Sequence, residues 1–233
     1  MTIMKYIIKG RPPQELRDFV NTSGASFNGC PCKNEWRKTL LEEQGYLCGY
    51  TMKRIENNSL TTKIAHIEAR DGTISKDLNH DNVVACCLGN QGKPREEQYA
   101  DTRQGDKTLK HITPLKLECE QLIKYRETGE IRCADENVRK EILDDDRIHP
   151  KHFSLLNLNH RNLVNGRLGA YDAVKRKLTN AVKGRDWRPR DIQDWISVYS
   201  TRDADGKFKE YCNFVVWRLN KEFAWRSRSK KSS

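Results

Sequence analysis

The chain has 233 residues, of which 36% are hydrophobic and 32% are charged. This composition predicts a globular protein with a hydrophobic core and excludes a disordered chain. No run approaches the roughly 18 apolar residues of a membrane span, and the apolar stretch near the N-terminus is too short for a signal peptide, so we expect a cytoplasmic protein without a membrane partner.

The formal net charge of +11 is unevenly distributed along the chain. Residues 151–233 contain 19 Lys and Arg against 8 Asp and Glu, which leaves 24 residues of each sign in residues 1–150. A basic C-terminal third indicates a polyanionic partner, most often nucleic acid. A solvated helical surface is the alternative explanation of the same charge.

The first predicted elements are two helices and two short strands. Residues 11–24 open with two prolines and predict a short helix, and a second helix is predicted from Glu35 to about Glu43, capped by Asn34 and ended by Gly45. Short strands are predicted at "YLCGYT" and "TTKIAHI", and "VVACCLGNQGK" is interpreted as a strand end or a helix start.

The rest of the chain predicts a hairpin and then helices. "LIKYRETGEIRC" has the pattern of a hairpin that turns at Glu127, Thr128 and Gly129. Three helices follow, in "LNHRNLVNGRLGAYDAVKRKLTNAVKG" with Gly184 as its stop, in "RPRDIQDWISVYS" and in "KFKEYCNFVVWRLNKEFAW"; "WRSRSKKSS" is expected to be a frayed basic tail. We therefore predict an α+β protein with a helical or extended segment (1–40), a β-rich core with a hairpin (41–135) and a basic helical region (136–233).

One histidine and two asparagines have the spacing of a nuclease hairpin. His66 ends a predicted strand, Asn82 follows sixteen residues later, and Asn90 eight residues after that. This is the spacing of the ββα-metal, or HNH, fold. In that chemistry an imidazole takes a proton from water, a divalent ion such as Mg²⁺ or Mn²⁺ stabilises charge on the phosphate, and an asparagine fixes the geometry of the loop.

Four stretches strengthen this interpretation. "LLEEQGYLCGYTMKRI", "KIAHIEARDG", "DNVVACCLGNQGKP" and "YADTRQGDKTLKHITPLKLECE", collinear over Leu40 to Glu120, resemble the HNH subunit (PtuB-like) of Septu-type antiphage systems. The resemblance implies a toxic endonuclease that acts with an SMC-like or ABC-type ATPase partner (PtuA-type). In some such systems a retron reverse transcriptase and its small DNA join the pair.

The resemblance also assigns roles to residues. His66 would be the catalytic base, Asn82 the positioning residue, and Asn90, Asp101 and Glu68 candidate metal or phosphate contacts. Four of these residues have a plain structural alternative. His66 can be a strand-end histidine, Asn82 a helix cap, Asn90 a polar helix residue and Asp101 part of an Asx-turn.

The chain departs from the family pattern at its metal positions. Thr51 stands where the family has the second cysteine of a CxxC pair, Ala65 precedes His66 where the family has Glu, and Tyr99 and Ala100 replace a His-Cys pair. Glu68, Asp71, His80 or Asp101 could replace the missing acidic ligand. Mg²⁺ can bind through one or two carboxylates together with a substrate phosphate.

Of the zinc ligands that the family would supply, Cys48 and Cys87 remain, with Cys86 adjacent. A structural zinc site needs about four nitrogen or sulfur ligands, so we do not expect a tightly held zinc ion. The two cysteines are equally compatible with packing as small hydrophobic residues.

Arg185, Arg188 and Arg190 form a predicted phosphate-binding cluster, with a solvated loop as the alternative. DNA is the expected substrate of the nuclease, and a structured RNA such as tRNA is the alternative. A second hypothesis is a degenerate, non-catalytic HNH-like adaptor that docks on the ATPase or on the reverse transcriptase with its DNA. A stand-alone nucleic-acid-binding protein is the third.

Overall fold

The computed structural model describes residues 4–144, 153–183 and 185–229. The helices are, in chain order, α1 (Gln14–Phe19), α2 (Lys33–Glu43), α3 (Ile74–Asp77), α4 (Ala100–Gln104), α5 (Cys119–Leu122), α6 (Glu136–Ile142), α7 (Arg161–Ala181), α8 (Pro189–Ser200) and α9 (Cys212–Ser229). The strands are β1 (Thr62–His66), β2 (Val83–Cys87), β3 (Ile123–Tyr125) and β4 (Ile131–Cys133). The predicted α+β class is confirmed.

The strands form two small antiparallel sheets. β1 pairs with β2, with Thr62 opposite Cys87 and His66 opposite Val83. β3 pairs with β4, which confirms the predicted hairpin. Gly129 in its turn has φ +82°, and a Cβ there would lie 2.9 Å from side-chain and backbone atoms of α7, so only glycine fits this turn without strain.

Strand β2 is buried along its whole length, and helices α2 and α4 both pack against it. Helix α2 packs against it with Trp36, Leu40 and Leu41, the face that the sequence predicts. The free edge of β2 is covered by Gln44, whose side chain accepts from the backbone N–H of Ala85 at 2.7 Å and donates to its carbonyl at 2.9 Å. An edge covered in this way cannot pair with another chain.

The short helix α4 lies against both strands of the first sheet, so a β-hairpin and a helix form one unit. The chain passes from β2 to α4 through Gly89, whose φ is +57° and whose Cβ, if present, would lie 1.9 Å from the carbonyl oxygen of Tyr99. Gly89 and Tyr99 also share a backbone hydrogen bond of 3.1 Å. This close approach fixes where α4 begins relative to the hairpin.

The C-terminal helices α7, α8 and α9 pack on one another, with α9 in contact with the other two. Helix α7 buries Leu163, Tyr171, Val174 and Leu178, as its spacing predicts. It also buries Arg167, which donates to backbone carbonyls of the β3–β4 turn and of Leu158 at 2.8 and 2.7 Å. One cluster of buried apolar side chains takes members from the N-terminal segment, the hairpin core and these helices.

Some boundaries differ from the prediction. "YLCGYT" is a turn flanked by a single bridge between Leu47 and Arg54, because Tyr46 and Met52 have φ of +62° and +61°, which a strand cannot continue through. Helix α2 begins at Lys33 rather than Glu35. The predicted stop at Gly184 lies outside the described residues.

The predicted basic tail is helical as far as the structure describes it, since α9 continues to Ser229. Arg226 explains the extension: its guanidinium lies 5.2 Å from the centre of the Trp187 ring and 3.7 Å from a carboxylate oxygen of Glu222 one turn earlier. Residues 230–233 lie outside the described part. Within the described ranges, none of the helices has the length and apolar character needed to span a bilayer.

A candidate active site beside the first hairpin

A cavity of 290 Å³ opens between β1, the loop before α2 and helix α4. Its wall includes an aromatic ring, an imidazole, cationic groups, a carboxylate and uncharged polar groups, contributed by Phe27, Lys63, His66, Arg70, Gln91, Asp101 and Thr102. The structure thus brings two of the predicted residues, His66 and Asp101, to one cavity. The cationic groups in this wall suit an anionic ligand.

His66 is half-buried at the end of β1, and its ring is oriented by the backbone. Its Nε2 lies 2.9 Å from the carbonyl oxygen of Asp77. A carbonyl oxygen can only accept, so Nε2 carries the proton and Nδ1 keeps the lone pair. Burial lowers the pKa of His66, with partial opposition from the bond to Asp77, so the ring is neutral near pH 7. A neutral imidazole of fixed tautomer can serve as a base.

Asn82 closes the loop that leads from His66 back to β2. Its side-chain oxygen accepts from the N–H of Glu68 at 2.8 Å, and its amide group donates to the carbonyls of Glu68 and Lys76 at 3.2 and 3.1 Å. Lys76 neighbours Asp77, the residue that orients His66. Asn82 therefore holds the backbone on which the tautomer of His66 depends, which is a positioning role.

A network of buried polar side chains holds His80, near the end of this loop. Trp36 Nε1 donates to His80 Nδ1 at 2.9 Å, so the proton of His80 is on Nε2, which donates to Glu43 Oε1 at 2.8 Å. Lys9 Nζ lies 2.7 Å from Glu43 Oε2. Although burial opposes ionisation, the bonds from His80 and Lys9 lower the pKa of Glu43 and keep it charged. His80 has both ring nitrogens engaged and is not a free metal ligand.

Asp101 projects into the cavity from the first turn of α4. Its Oδ2 lies 3.5 Å from Lys63 Nζ, and the same ammonium donates to Thr102 Oγ1 at 3.0 Å. Burial raises the pKa of Asp101, and Lys63 opposes that shift. The cavity therefore holds a carboxylate that is costly to keep charged, with its cation beside it.

Two other predicted ligands lie elsewhere. Asn90 has φ +61°, donates to the carbonyl of Glu97 at 2.8 Å and lines a separate cavity of 470 Å³ with Lys53 and Tyr99. Its neighbour Gln91 lines the cavity beside His66. The side chain of Glu68 is exposed, and its backbone, rather than its carboxylate, takes part in the site.

The positions at which the resemblance implies a zinc site hold a buried cluster of cysteine side chains and one hydroxyl group. Cys48, Cys86 and Cys87 are free and buried, and Thr51 Oγ1 lies 3.8 Å from Cys87 Sγ. Burial raises the pKa of Cys86 well above its usual value, so it is a thiol near neutral pH. Close to these cysteines, Lys53 Nζ donates to the Tyr99 hydroxyl oxygen at 3.5 Å.

A divalent cation fits the site only in part. In residues 4–144, 153–183 and 185–229, no three His, Cys, Asp or Glu side chains are grouped so as to hold a metal ion. The cavity beside His66 offers Asp101 and the exposed Asp106. This donor set fits a Mg²⁺ or Mn²⁺ ion that shares its ligands with a bound phosphate, and it does not fit an ion held by the protein alone.

The predicted arginine cluster lies at the start of α8. Arg185 is committed to Asp191 through two bonds of 2.6 and 2.8 Å, and the backbone N–H of Arg188 donates to the same carboxylate at 2.7 Å. Arg190 is exposed in the first helical turn. The arrangement caps the helix. The two side-chain bonds to Asp191 come from Arg185, and not from Arg188 or Arg190.

Sequence reasoning missed several groups that line the cavity. Lys63, Arg70, Gln91 and Thr102 each lie within the stretches that resemble the HNH family, but their side chains carry no pattern of their own. Phe27 comes from a loop 39 residues before His66, and its ring lies edge-on at 4.8 Å from the imidazole. Only the folded chain brings this ring to the site. No protein-family model matches the chain, and no curated protein is significantly similar to it.

Proposed function

We propose that the chain is a metal-dependent HNH-type endonuclease whose active site is the cavity beside His66. The observation that carries the proposal is the bond from His66 Nε2 to the carbonyl of Asp77, since it leaves Nδ1 as the proton acceptor in a cavity with cations. The hydrogen bonds of Asn82 to the loop after His66 are a second observation that supports the proposal.

The chain's own groups divide the work of phosphodiester hydrolysis. His66 Nδ1 takes a proton from a water molecule as that water attacks the phosphorus atom. Lys63 and Arg70 bind the non-bridging oxygens of the phosphate and offset the charge that develops on them. Asn82 acts through His66 and Asp77 and is a positioning residue.

Asp101 is the residue that would hold a divalent cation together with phosphate oxygens of the substrate. Such an ion would stabilise charge on the phosphate and on the leaving oxygen. Its arrival would require Lys63, now 3.5 Å from the carboxylate, to turn toward the phosphate. Metal and substrate binding are therefore expected to depend on each other.

The biological setting that we propose rests on the family resemblance. The chain would act in the cytoplasm as the toxic effector of an antiphage complex with an SMC-like or ABC-type ATPase. A retron reverse transcriptase and its small DNA would join it in some systems. Arg188 and Arg190 at the start of α8 are the proposed contacts to nucleic acid outside the cavity.

The test is cleavage by the co-expressed, triggered complex on duplex DNA, single-stranded DNA and total tRNA, with Mg²⁺, Mn²⁺ or EDTA. His66→Ala is compared with His111→Ala, an exposed histidine outside the cavity. We expect metal-dependent cleavage that His66→Ala abolishes and His111→Ala leaves unchanged. Equal cleavage by both variants would overturn the assignment of His66.

The Lys63–Asp101 ion pair favours a second candidate, a non-catalytic HNH-like adaptor. The Lys63 ammonium already lies beside Asp101, the less exposed of the two carboxylates of the cavity, and within the described residues no group of side chains fits a metal held by the protein alone. The adaptor would use the cavity and the basic helices to hold nucleic acid for the ATPase or reverse transcriptase. It predicts salt-dependent binding that Lys63→Ala weakens, with no cleavage under any metal.

A further inference from the structure

The loop before α2 carries two cysteines separated by Pro31. The Sγ atoms of Cys30 and Cys32 lie 3.2 Å apart, and the two residues are 6% and 7% exposed. Both are free thiols. Because a disulfide joins its sulfurs at about 2.05 Å, a bond between them requires an approach of only roughly 1.2 Å.

This cysteine pair is connected to the cavity beside His66 through Phe27. The backbone N–H of Cys30 donates to the carbonyl of Phe27 at 3.3 Å. The ring of Phe27 lines the cavity and meets the imidazole of His66 edge-on, with 4.8 Å between ring centres and 78° between planes. Cys30 and Phe27 are three residues apart and joined by this backbone bond, so a shift of Cys30 is passed along the chain to the ring that touches His66.

Two cations connect the rest of the loop to the Phe27 ring. Lys33 Nζ donates to the carbonyl of Asn28 at 3.0 Å, and Arg70 donates to the Asn28 side chain at 3.2 Å. Both cations also lie over the Phe27 ring, at 4.8 and 5.0 Å from its centre. Since Arg70 lines the cavity, the loop contacts the site through a ring and a cation together.

We propose that Cys30 and Cys32 are a reversible dithiol–disulfide pair whose closure repositions Phe27 against His66 and changes access to the cavity. The thiol chemistry does not depend on what the cavity does. The effect of oxidation on cleavage rests on the proposed function.

The oxidant is a hydroperoxide such as hydrogen peroxide. One cysteine, as thiolate, attacks a peroxide oxygen, so that an S–O bond forms, the O–O bond breaks and hydroxide leaves to become water. The second thiol then attacks the sulfenic sulfur; the S–S bond forms, the S–O bond breaks and a second water leaves. The two thiols lose two electrons and the peroxide gains them. A thiol such as glutathione reverses the reaction by exchange.

Cys119 is the matched control for this pair. Burial and the Cys30 thiol raise the pKa of Cys32 to about 12, and burial raises the pKa of Cys119 to about 12 as well. Both are buried thiols whose pKa is raised in the same direction by burial. Across the described residues Cys119 shows no contact to another sulfur, so the two differ mainly in having a partner.

The first measurement treats the full chain with a limiting amount of hydrogen peroxide, alkylates the remaining thiols after denaturation, and maps the peptides by mass spectrometry. We expect the peptide with Cys30 and Cys32 to lose two hydrogen atoms, to escape alkylation and to recover with glutathione. Cys119 should stay alkylated. Alkylation of both Cys30 and Cys32 under conditions that oxidise Cys119, or their conversion to sulfinic acids without a bridge, would overturn the pair.

The second measurement follows modification of His66 by diethyl pyrocarbonate, with the exposed His111 as internal reference. Formation of the disulfide is proposed to shift the Phe27 ring against His66. We therefore expect the rate of His66 modification, relative to that of His111, to differ about threefold or more between the dithiol and disulfide forms. In Cys30→Ser the rate should not respond to peroxide. An equal His66 rate in both wild-type forms would overturn the coupling.

Both measurements are read without any cleavage assay. If the complex cleaves nucleic acid, peroxide should change the rate in wild type and leave that of Cys30→Ser unaltered, whereas Cys119→Ser should behave like wild type. If it cleaves nothing, the proposed function fails while the disulfide map and the His66 rates still decide the redox pair.

Discussion

Asn82 and the backbone of Glu68 are joined by hydrogen bonds in both directions, with the asparagine oxygen accepting at 2.8 Å and its amide donating at 3.2 Å. A third bond runs to Lys76. Asn82 is therefore an anchor that ties the start of the loop after His66 to the helix that carries Asp77. The geometry of the proposed base depends on that anchor.

Replacing Asn82 by Ala should therefore damage both stability and activity. Three bonds are lost and buried backbone groups are left unpaired, so we expect the free energy of unfolding to fall by about 2–4 kcal/mol. Urea denaturation measures this. Asn79→Ala is the matched control, since the exposed Asn79 side chain accepts one bond, from the N–H of Asp81, and should cost about 1 kcal/mol or less. Equal losses in the two variants would contradict the anchoring role.

The lowered pKa of His66 sets a pH dependence of stability. In the unfolded chain a histidine takes up its proton near pH 6.5, whereas folded His66 does so at a lower pH. As the pH falls below about 6.5, the unfolded state binds the proton first and the folded state loses stability, until folded His66 is protonated too. Above that window His66 contributes no slope.

Unfolding free energies of wild type and His66→Gln between pH 7.5 and 5 test this sign. Wild type should lose stability more steeply than the variant, and cleavage should decline with an apparent pKa below 6.5. Parallel curves for the two proteins, or a cleavage rate that rises on acidification, would show that His66 is not held neutral.

Asp101→Asn should separate function from stability. Burial raises the pKa of Asp101, so at neutral pH its charged form is less favourable in the folded protein than in the unfolded chain. We expect the variant to be at least as stable as wild type in thermal unfolding, while cleavage is lost. Asp172→Asn, at an exposed position of α7 outside the cavity, should keep both properties. A strongly destabilised Asp101→Asn would indicate a structural role instead.

Arg103 is predicted to fix α4 to the rest of the fold. It is fully buried, makes two bonds of 2.6 and 2.7 Å to Asp144 and donates to the carbonyl of Ser154 at 3.0 Å. Removing one member of such a pair leaves a charge and carbonyls without partners, so Arg103→Met should cost about 3 kcal/mol. The exposed pair of Arg161 and Glu97 provides the control, and Arg161→Met should cost less than about 0.5 kcal/mol. Similar costs would refute the anchoring of α4.

The sequence predicted the elements whose patterns are local. The helices α2 and α7 bury the faces that their spacing indicates, and the β3–β4 hairpin turns at Gly129 because a glycine with positive φ is needed there. "YLCGYT" has the composition of a strand, but left-handed backbone at Tyr46 and Met52 makes it a turn. The N–H groups of these two residues donate to Leu41 and Cys48 at 2.8 and 3.0 Å, so short-range turn bonds set a conformation that the strand-like composition does not indicate.

The candidate site was predictable only in part, for a related reason. His66 was proposed from its spacing to the asparagines and Asp101 from the family resemblance, and both residues line one cavity. Asn90 was expected to join them, yet its positive φ turns its amide to Glu97 and leaves Gln91 at the cavity. His80 is bonded to Trp36 and Glu43, which lie 44 and 37 residues before it in the chain. The sequence therefore contains no sign of this network.

The account depends most directly on His66 as the base, and one rate comparison tests it. Cleavage by the triggered complex with Mg²⁺ is measured under single-turnover conditions at pH 7.5 for wild type, His66→Gln and His111→Gln. Since a general base contributes about 10²–10⁴-fold, we expect His66→Gln to lose at least about 100-fold and His111→Gln to match wild type. A His66→Gln rate within about threefold of wild type, or no cleavage by the wild-type complex under any metal, would contradict the catalytic account; the second result would leave the adaptor.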